Sequence, residues 1–126
     1  MTDSFKLLGS YETTPQGQPL SFAPSIIAPI NETKVLKVSH PDTITLDTDS
    51  AVPVSFGGAT NAHIVILKSI GGKVRAAITS ADGTAQLVPF DTYWILMSDT
   101  VPVTAITLTR VPGQLTTVRV FIGEKA

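Results

Sequence analysis

The sequence predicts an all-β fold, an antiparallel β-sandwich with an extended arm in front of it. About nine short apolar runs are separated by turn residues, at the spacing expected of a sandwich or barrel. Thr, Val and Ile dominate these runs, and their branched Cβ atoms suit a pleated surface. No window has the apolar stripe of a three-turn helix. We therefore expect one β-domain over residues 34–126.

Residues 1–33 differ from the rest of the chain, and we interpret them as an extended arm. Prolines recur every four or five residues, at Pro15, Pro19, Pro24 and Pro29. Because proline lacks an amide donor and favours extended backbone before it, we expect neither a helix nor a central strand here. Phe22, Ile26 and Ile27 make the segment apolar, which favours an arm that docks on its own body or on a neighbouring subunit. The alternative is a poorly ordered terminus.

Strict alternation of apolar and polar residues predicts which side chains enter the core. The residues expected to face inward are Ile44, Leu46, Val52, Val54, Phe56, Val74, Ala76 and Ile78. Residues 64–67 are apolar on both faces, as expected in the middle of a packed layer or at an interface. In the segment "YWILM", Tyr93 and Trp94 fall on opposite faces, so one aromatic ring is expected in the core.

Two glycine turns predict a three-stranded meander over residues 64–70, 73–79 and 84–90. Gly71-Gly72 and Asp82-Gly83 each suit a tight hairpin, in which the central residues take positive φ. Three further prolines lie within or beside strands, at Pro53, Pro89 and Pro102. Since they cannot donate to a ladder, we expect them at sheet edges or bulges.

Composition argues for a surface that faces a partner. Charged residues make up only 15% and hydrophobic residues 43%, whereas about 25% charge is typical of soluble domains. The net charge of −1 and the lack of a basic cluster argue against nucleic-acid binding. There is no cysteine, which fits a reducing cytoplasm, and no signal peptide or membrane span is expected.

Residues with catalytic or metal-binding chemistry are few and scattered, so we expect no enzyme, no cofactor and no metal. His40, before Pro41, is expected in a turn, and His63 as a partly buried strand residue. Asp47 and Asp49 indicate a β-turn more than a calcium site. The three glutamates are expected in flexible or terminal regions, at Glu12, Glu32 and Glu124.

The segment "VPFDTYWILMSDTVPVTAITLTRVPGQLTTVRVFIGEKA", residues 88–126, resembles the C-terminal half of small virion structural proteins of tailed bacteriophages, and the similarity extends over residues 50–126. The resemblance implies a non-enzymatic, often trimeric β-protein, frequently of jelly-roll type, that decorates the capsid or is built into the tail. It implies a location in the virion, after assembly in the bacterial cytoplasm. It carries no catalytic residues over to this chain.

We therefore expect a capsid decoration (cement) protein that bridges capsid subunits. Its partners would be copies of itself, in a homotrimer or else a dimer, and the phage major capsid protein or neighbouring virion proteins, with no nucleic acid and no membrane. The expected interface residues are Phe22, Ile26, Ile27, Ile64, Ile66 and Trp94. The alternatives are a tail, tail-tip or fibre component and a receptor- or glycan-binding β-sandwich that uses Trp94 or Tyr93; a small hydrolase is the weakest.

Overall fold

The protein is built from strands, as its alternating sequence predicts. The computed structural model describes the backbone of residues 3–13 and 25–126 and the side chains of residues 4–8 and 32–126. Within these ranges there is no helix, and hence none that could cross a membrane. The strands are β1 (Asp3–Thr13), β2 (Ser25–Leu46), β3 (Val52–Pro53), β4 (Ile64–Ile70), β5 (Val74–Ser80), β6 (Ala85–Phe90), β7 (Tyr93–Met97), β8 (Val103–Arg110) and β9 (Thr116–Lys125).

The chain divides into two compact units. The smaller unit is Ser4–Val35, which holds β1 from Ser4 onward and the first part of β2, and the larger unit contains Leu36–Ala126. The proline-spaced segment was predicted to hold neither a helix nor a central strand, and a strand does enter its last part, because β2 begins at Ser25 and includes Pro29. Pairing of β2 with β9 begins only at Leu36, so Pro29 lies outside that ladder and the missing amide donor costs it no bond there. The domain boundary predicted at 33/34 stays a prediction.

The larger unit is a jelly roll. Hydrogen-bonded strands follow the order β1-β2-β9-β4-β7 in one sheet, sheet A, and β3-β8-β5-β6 in the other, sheet B. Without β1, the eight strands from β2 onward follow the double Greek-key order of a jelly roll, in which consecutive strands lie in opposite sheets except for the paired strands β5 and β6. The β-sandwich predicted from the sequence is therefore confirmed, and the topology defines its type.

Apolar side chains from both sheets fill the space between them. Sheet A contributes Leu46, Val65, Leu67, Val118, Val120 and Ile122, and sheet B contributes Val74, Ala76, Ile78, Phe90, Val103, Ile106 and Leu108. The inward positions predicted from alternation are confirmed: they are buried here or, for Ile44, Val52 and Phe56, packed against this cluster while half-buried. Trp94 and Leu96 pack against the same core from β7.

The turn at Gly71-Gly72 does not form the predicted hairpin. β4 already has β9 on one side and β7 on the other, so neither of its edges is open to β5. The chain instead crosses from sheet A to sheet B at this turn. Ser69 Oγ donates to the carbonyl of Gly72, and Gln114 Nε2 donates to the carbonyl of Gly71 at 2.6 Å. These bonds satisfy backbone groups that a hairpin ladder would otherwise have paired.

The turn at Asp82-Gly83 does join two antiparallel strands, β5 and β6, but it is not a two-residue turn. Ser80 and Thr84 close the loop through a bond from Ser80 N to Thr84 O at 2.8 Å. Gly83 takes φ +89°, whereas no non-glycine residue in the described ranges has positive φ. The loop is thus a three-residue connection with glycine in the left-handed position.

Prolines mark two edges of sheet B, as predicted. Pro53 lies in β3 and Pro89 in β6, which are the first and last strands of that sheet. The predicted turn at His40-Pro41 is wrong, because both residues lie inside β2 and pair with Ile122 and Phe121 of β9. Proline keeps a φ suited to extended backbone, so one missing donor does not interrupt this strand.

Candidate functional site: the outer face and edge of sheet A

Strand β7 forms an edge of sheet A that lacks the usual protection. Among the described strands it has a neighbour, β4, on one side only. Its sequence, Tyr-Trp-Ile-Leu-Met, contains neither a proline nor a charged residue. Natural sheets protect their edges with such residues or with very short strands, as the two edges of sheet B do here. Within the described part of the chain, strand β7 therefore presents an open backbone edge together with apolar side chains.

Alternation along β7 decides which side chains point outward. Trp94 and Leu96 turn inward to the core, so Tyr93 and Ile95 lie on the outer face, where they are 55% and 47% exposed. The prediction that the two neighbouring aromatic residues face opposite ways is confirmed. The ammonium group of Lys68 lies 5.4 Å from the centre of the Tyr93 ring, within the range of a cation–π interaction.

The strand register aligns apolar residues across the outer face of sheet A. Ile95 pairs with Ile66, Ile66 with Phe121, and Phe121 with Pro41. We call these four residues, one from each of four neighbouring strands, the apolar row. Next to it, on the Lys68 side, a polar row runs through Tyr93, Lys68, Arg119 and Thr43. An apolar row beside a polar one is the arrangement expected of an interface core and its rim.

The structure places the six predicted interface residues differently. Ile66 lies in the apolar row and is half-buried. Ile64 is only 2% exposed, beside Leu36 and Gly123, and Trp94 packs against the core. Phe22 lies outside the described residues, and Ile26 and Ile27 lie in β2 at positions where only the backbone is described. The interface role of all six stays a prediction, and within sheet A the geometry favours Ile66, with Ile95 and Tyr93 as additions to the predicted interface residues.

The two histidines have local structural contacts. His63 is half-buried, as predicted, but it lies just before β4 rather than in the strand, and its Nδ1 accepts a hydrogen bond of 3.1 Å from the amide of Lys125. His40 Nε2 lies 3.8 Å from a carboxylate oxygen of Asp42. Neither contact assembles a nucleophile with a base, which a hydrolase of the serine type requires.

Glu124 lies near the end of the chain, as expected, but in a buried position of a strand rather than in a flexible segment. It belongs to β9 and is only 7% exposed. Its Oε2 accepts a hydrogen bond of 2.9 Å from the amide of Thr60, and its Oε1 lies 4.0 Å from Lys37 Nζ. The carboxylate therefore secures the loop between β3 and β4. Its partner is 64 positions away in sequence, so no local pattern could have indicated the bond.

Asp49 has a similar structural role, because it also holds a loop through hydrogen bonds. Its Oδ1 accepts hydrogen bonds from Arg110 Nε at 3.0 Å and from the amide of Gly113 at 2.9 Å. The hydrogen bond from the Gly113 amide, followed by the interaction with the Arg110 guanidinium, lowers the pKa of Asp49. Across the described residues, no group of three or more His, Cys, Asp or Glu side chains is positioned to hold a metal ion.

Fold and surface together define a jelly-roll domain with an apolar, unprotected edge strand in sheet A. Comparisons with protein-family models, with curated proteins and with solved structures each find no match to this chain.

Proposed function

We propose that this chain is a non-enzymatic structural subunit of a tailed-phage virion, with capsid decoration as its role. The observation that carries the proposal is the edge of β7 with its exposed Tyr93 and Ile95. An unprotected edge pairs with a further strand, so it suits a subunit whose work is to associate. Two other features support the proposal: the low charge of the chain and the use of jelly rolls in viral capsids.

Self-association through β7 follows from the symmetry of antiparallel pairing. Two copies of one strand can pair about a two-fold axis, and because β7 carries no charge, this contact brings no like charges of the strand together. A two-fold contact closes as a dimer, whereas pairing of β7 with a different edge forms a ring, such as the trimer expected from the resemblance, only where the rotation between copies closes. The apolar row would extend the contact beyond the backbone bonds of the edge.

The native mass of the full chain tests the proposal. We expect the wild type to be an oligomer and Ile95→Lys to be a monomer, because a charge on an edge strand opposes edge-to-edge pairing. The matched control is Leu87→Lys, which adds the same charge at an exposed leucine of β6, an edge strand of sheet B, and should leave the oligomer intact. A monomeric wild type, or an Ile95→Lys variant that keeps the oligomer, contradicts association through β7.

Co-sedimentation of the wild type with purified phage heads and with purified tails tests the virion role. Binding to heads supports decoration, whereas binding to tails alone assigns the chain to the tail. If neither binds and a glycan array is positive, the chain is a glycan-binding module. Trp94 packs against the core, so the exposed Tyr93 would then be the aromatic residue to substitute first.

A further inference from the structure

A cationic cleft lies on sheet B, at the end where β8 meets the loop that follows it. It has a volume of about 400 Å³, and its lining residues are Asp49, Lys73, Arg75, Pro89, Thr109, Arg110, Val111 and Pro112. Three cations and one carboxylate surround it, although the net charge of the chain is −1. Positive charge is therefore concentrated at this cleft.

Two of these cations are available to a ligand. Arg110 is held by Asp49 and is largely buried, with 11% of its side chain exposed. The hydrogen bonds that lower the pKa of Asp49 keep its carboxylate ionised, so the charge of Arg110 is already neutralised. Lys73 and Arg75 are exposed, and within the described ranges neither forms an ion pair. The cleft therefore has two unneutralised positive charges.

The surface next to the cleft is a shallow apolar trough along the strands. Val74, Ala76 and Ile78 face the core, so alternation places Arg75, Ala77 and Thr79 on the outer face of β5. Ala77 pairs with Leu87 of β6 and Thr107 of β8, about 7 Å from the pairs of Arg75. A second depression, of about 390 Å³, lies over Ala77, Thr79, Ala85 and Leu87. The small side chains of Ala77, Thr79 and Ala85 leave room beside Leu87 for an extended segment.

We propose that the outer face of sheet B binds an extended acidic peptide segment, with a carboxylate paired to Lys73 and Arg75 and small apolar residues lying over Ala77. Guanidinium and ammonium groups recognise carboxylates through charge-assisted hydrogen bonds. The trough accepts the rest of the segment, because alanine and threonine allow a backbone to approach the sheet closely. The site lies on the sheet opposite β7, so it does not depend on the proposed self-association.

Fluorescence anisotropy with the full chain tests this site. The probes are fluorescein-labelled decapeptides with two aspartates at one end and valine, alanine and threonine in the remainder, made with the acidic end at either terminus. We expect the acidic peptides to bind, and Arg75→Ala and Lys73→Ala each to weaken binding about tenfold. The control peptide replaces both aspartates with asparagine and should bind as weakly to the wild type as the acidic peptide does to Arg75→Ala.

Two further variants separate peptide binding from a simple anion effect. Arg119→Ala removes an exposed cation from sheet A and should leave the affinity unchanged. Ala77→Leu fills the trough, so it should weaken binding of the acidic peptide. The concentration of inorganic phosphate that displaces the peptide from the cleft should stay the same. The proposal is overturned if neither acidic peptide binds the wild type, or if Arg75→Ala and Arg119→Ala bind alike. It is also overturned if Ala77→Leu has no effect, since the cleft would then be a small-anion site only. Matching thermal melts establish that the variants are folded.

Discussion

Asp49 joins the loop after β2 to the end of β8 through its 3.0 Å ion pair with Arg110, 61 positions away in sequence. The same oxygen accepts the amide of Gly113, so a single carboxylate fixes two loops at this end of the sandwich. The guanidinium also lies 3.4 Å from the carbonyl of Leu46, the last residue of β2. This arrangement orders one wall of the cationic cleft.

Replacing Asp49 with asparagine should lower the denaturant midpoint at neutral pH, and the loss should disappear in acid. The pKa of Asp49 is lower in the folded protein than in the unfolded chain. Its stabilising contribution is therefore fully present above the unfolded pKa, about 4, and is lost as pH falls through the folded pKa. Urea unfolding at neutral pH and at about pH 2 measures both ends of this window.

The matched control is Asp47→Asn, because Asp47 lies in the same loop and forms no hydrogen bond or ion pair in the described residues. It should leave the midpoint unchanged at both pH values. Equal losses for Asp47→Asn and Asp49→Asn would show that general loop charge, rather than the ion pair, stabilises this end.

Gly57→Ala should destabilise the fold for two reasons. Its φ of +63° costs a residue with a side chain about 1–2 kcal/mol, and an added Cβ would lie 2.6 Å from His40 Nδ1. The second cost should vanish in a His40→Ala background, which removes the clashing ring. We expect the loss of unfolding free energy caused by Gly57→Ala to be smaller in that background, as measured by a double-mutant cycle.

Gly83→Ala serves as the control for that cycle. Gly83 also has positive φ, but no atom lies within 4 Å of an added Cβ. Its cost should therefore be the same with and without His40. If His40→Ala leaves the cost of Gly57→Ala unchanged, the His40 ring does not limit the space for a side chain at position 57, and the loss of unfolding free energy comes from the backbone alone.

Truncation of two adjacent residues of β4 should affect different properties, stability for one and self-association for the other. Leu67 is fully buried between the sheets, so Leu67→Ala should lower the free energy of unfolding by about 2–5 kcal/mol. Ile66 is half-buried in the apolar row, so Ile66→Ala should cost clearly less in stability and reduce oligomer mass instead. Denaturation in dilute solution, combined with native mass, separates the two effects. Equal losses of stability would mean that the outer face is as well packed as the core.

Alternation in the sequence predicted correctly which side chains of a strand face the core, but it did not predict which strands pair with each other. The inward positions of β5 follow from Val74, Ala76 and Ile78 alone, because successive side chains of a strand must point to opposite sides. The same pattern cannot tell which strand lies alongside, so the turn at Gly71-Gly72 looked like a hairpin although it crosses between sheets. That outcome depends on β9 and β7 occupying both edges of β4, which is a property of the whole chain.

The candidate sites show the same limit. Exposure of Tyr93 or Trp94 was an open choice in the sequence, and packing against the core decided it. The cationic cleft was invisible, because Lys73 and Arg75 meet Arg110 only through the pairing of β5 with β8. Sequence spacing could not reveal a site whose parts come from separate strands.

A chain of residues 34–126 should fold without the first 33 residues. In the described residues, the core cluster and the side chains packed against it all lie at or after Ile44, and the pairing of β2 with β9 begins at Leu36. We expect the truncated chain to unfold cooperatively, with a red shift in the emission of Trp94, the only tryptophan, as it leaves the core. A chain of residues 48–126 is the matched control: it loses Leu46 and the strand that covers one edge of β9, so it should not fold. If the chain of residues 34–126 also fails to fold, the segment before it contributes to the stability of the sandwich and is not a separable arm.

If the chain of residues 34–126 folds and keeps the oligomer mass of the full chain, association does not require residues 1–33. The contact between copies then belongs to the sandwich, as the edge of β7 predicts.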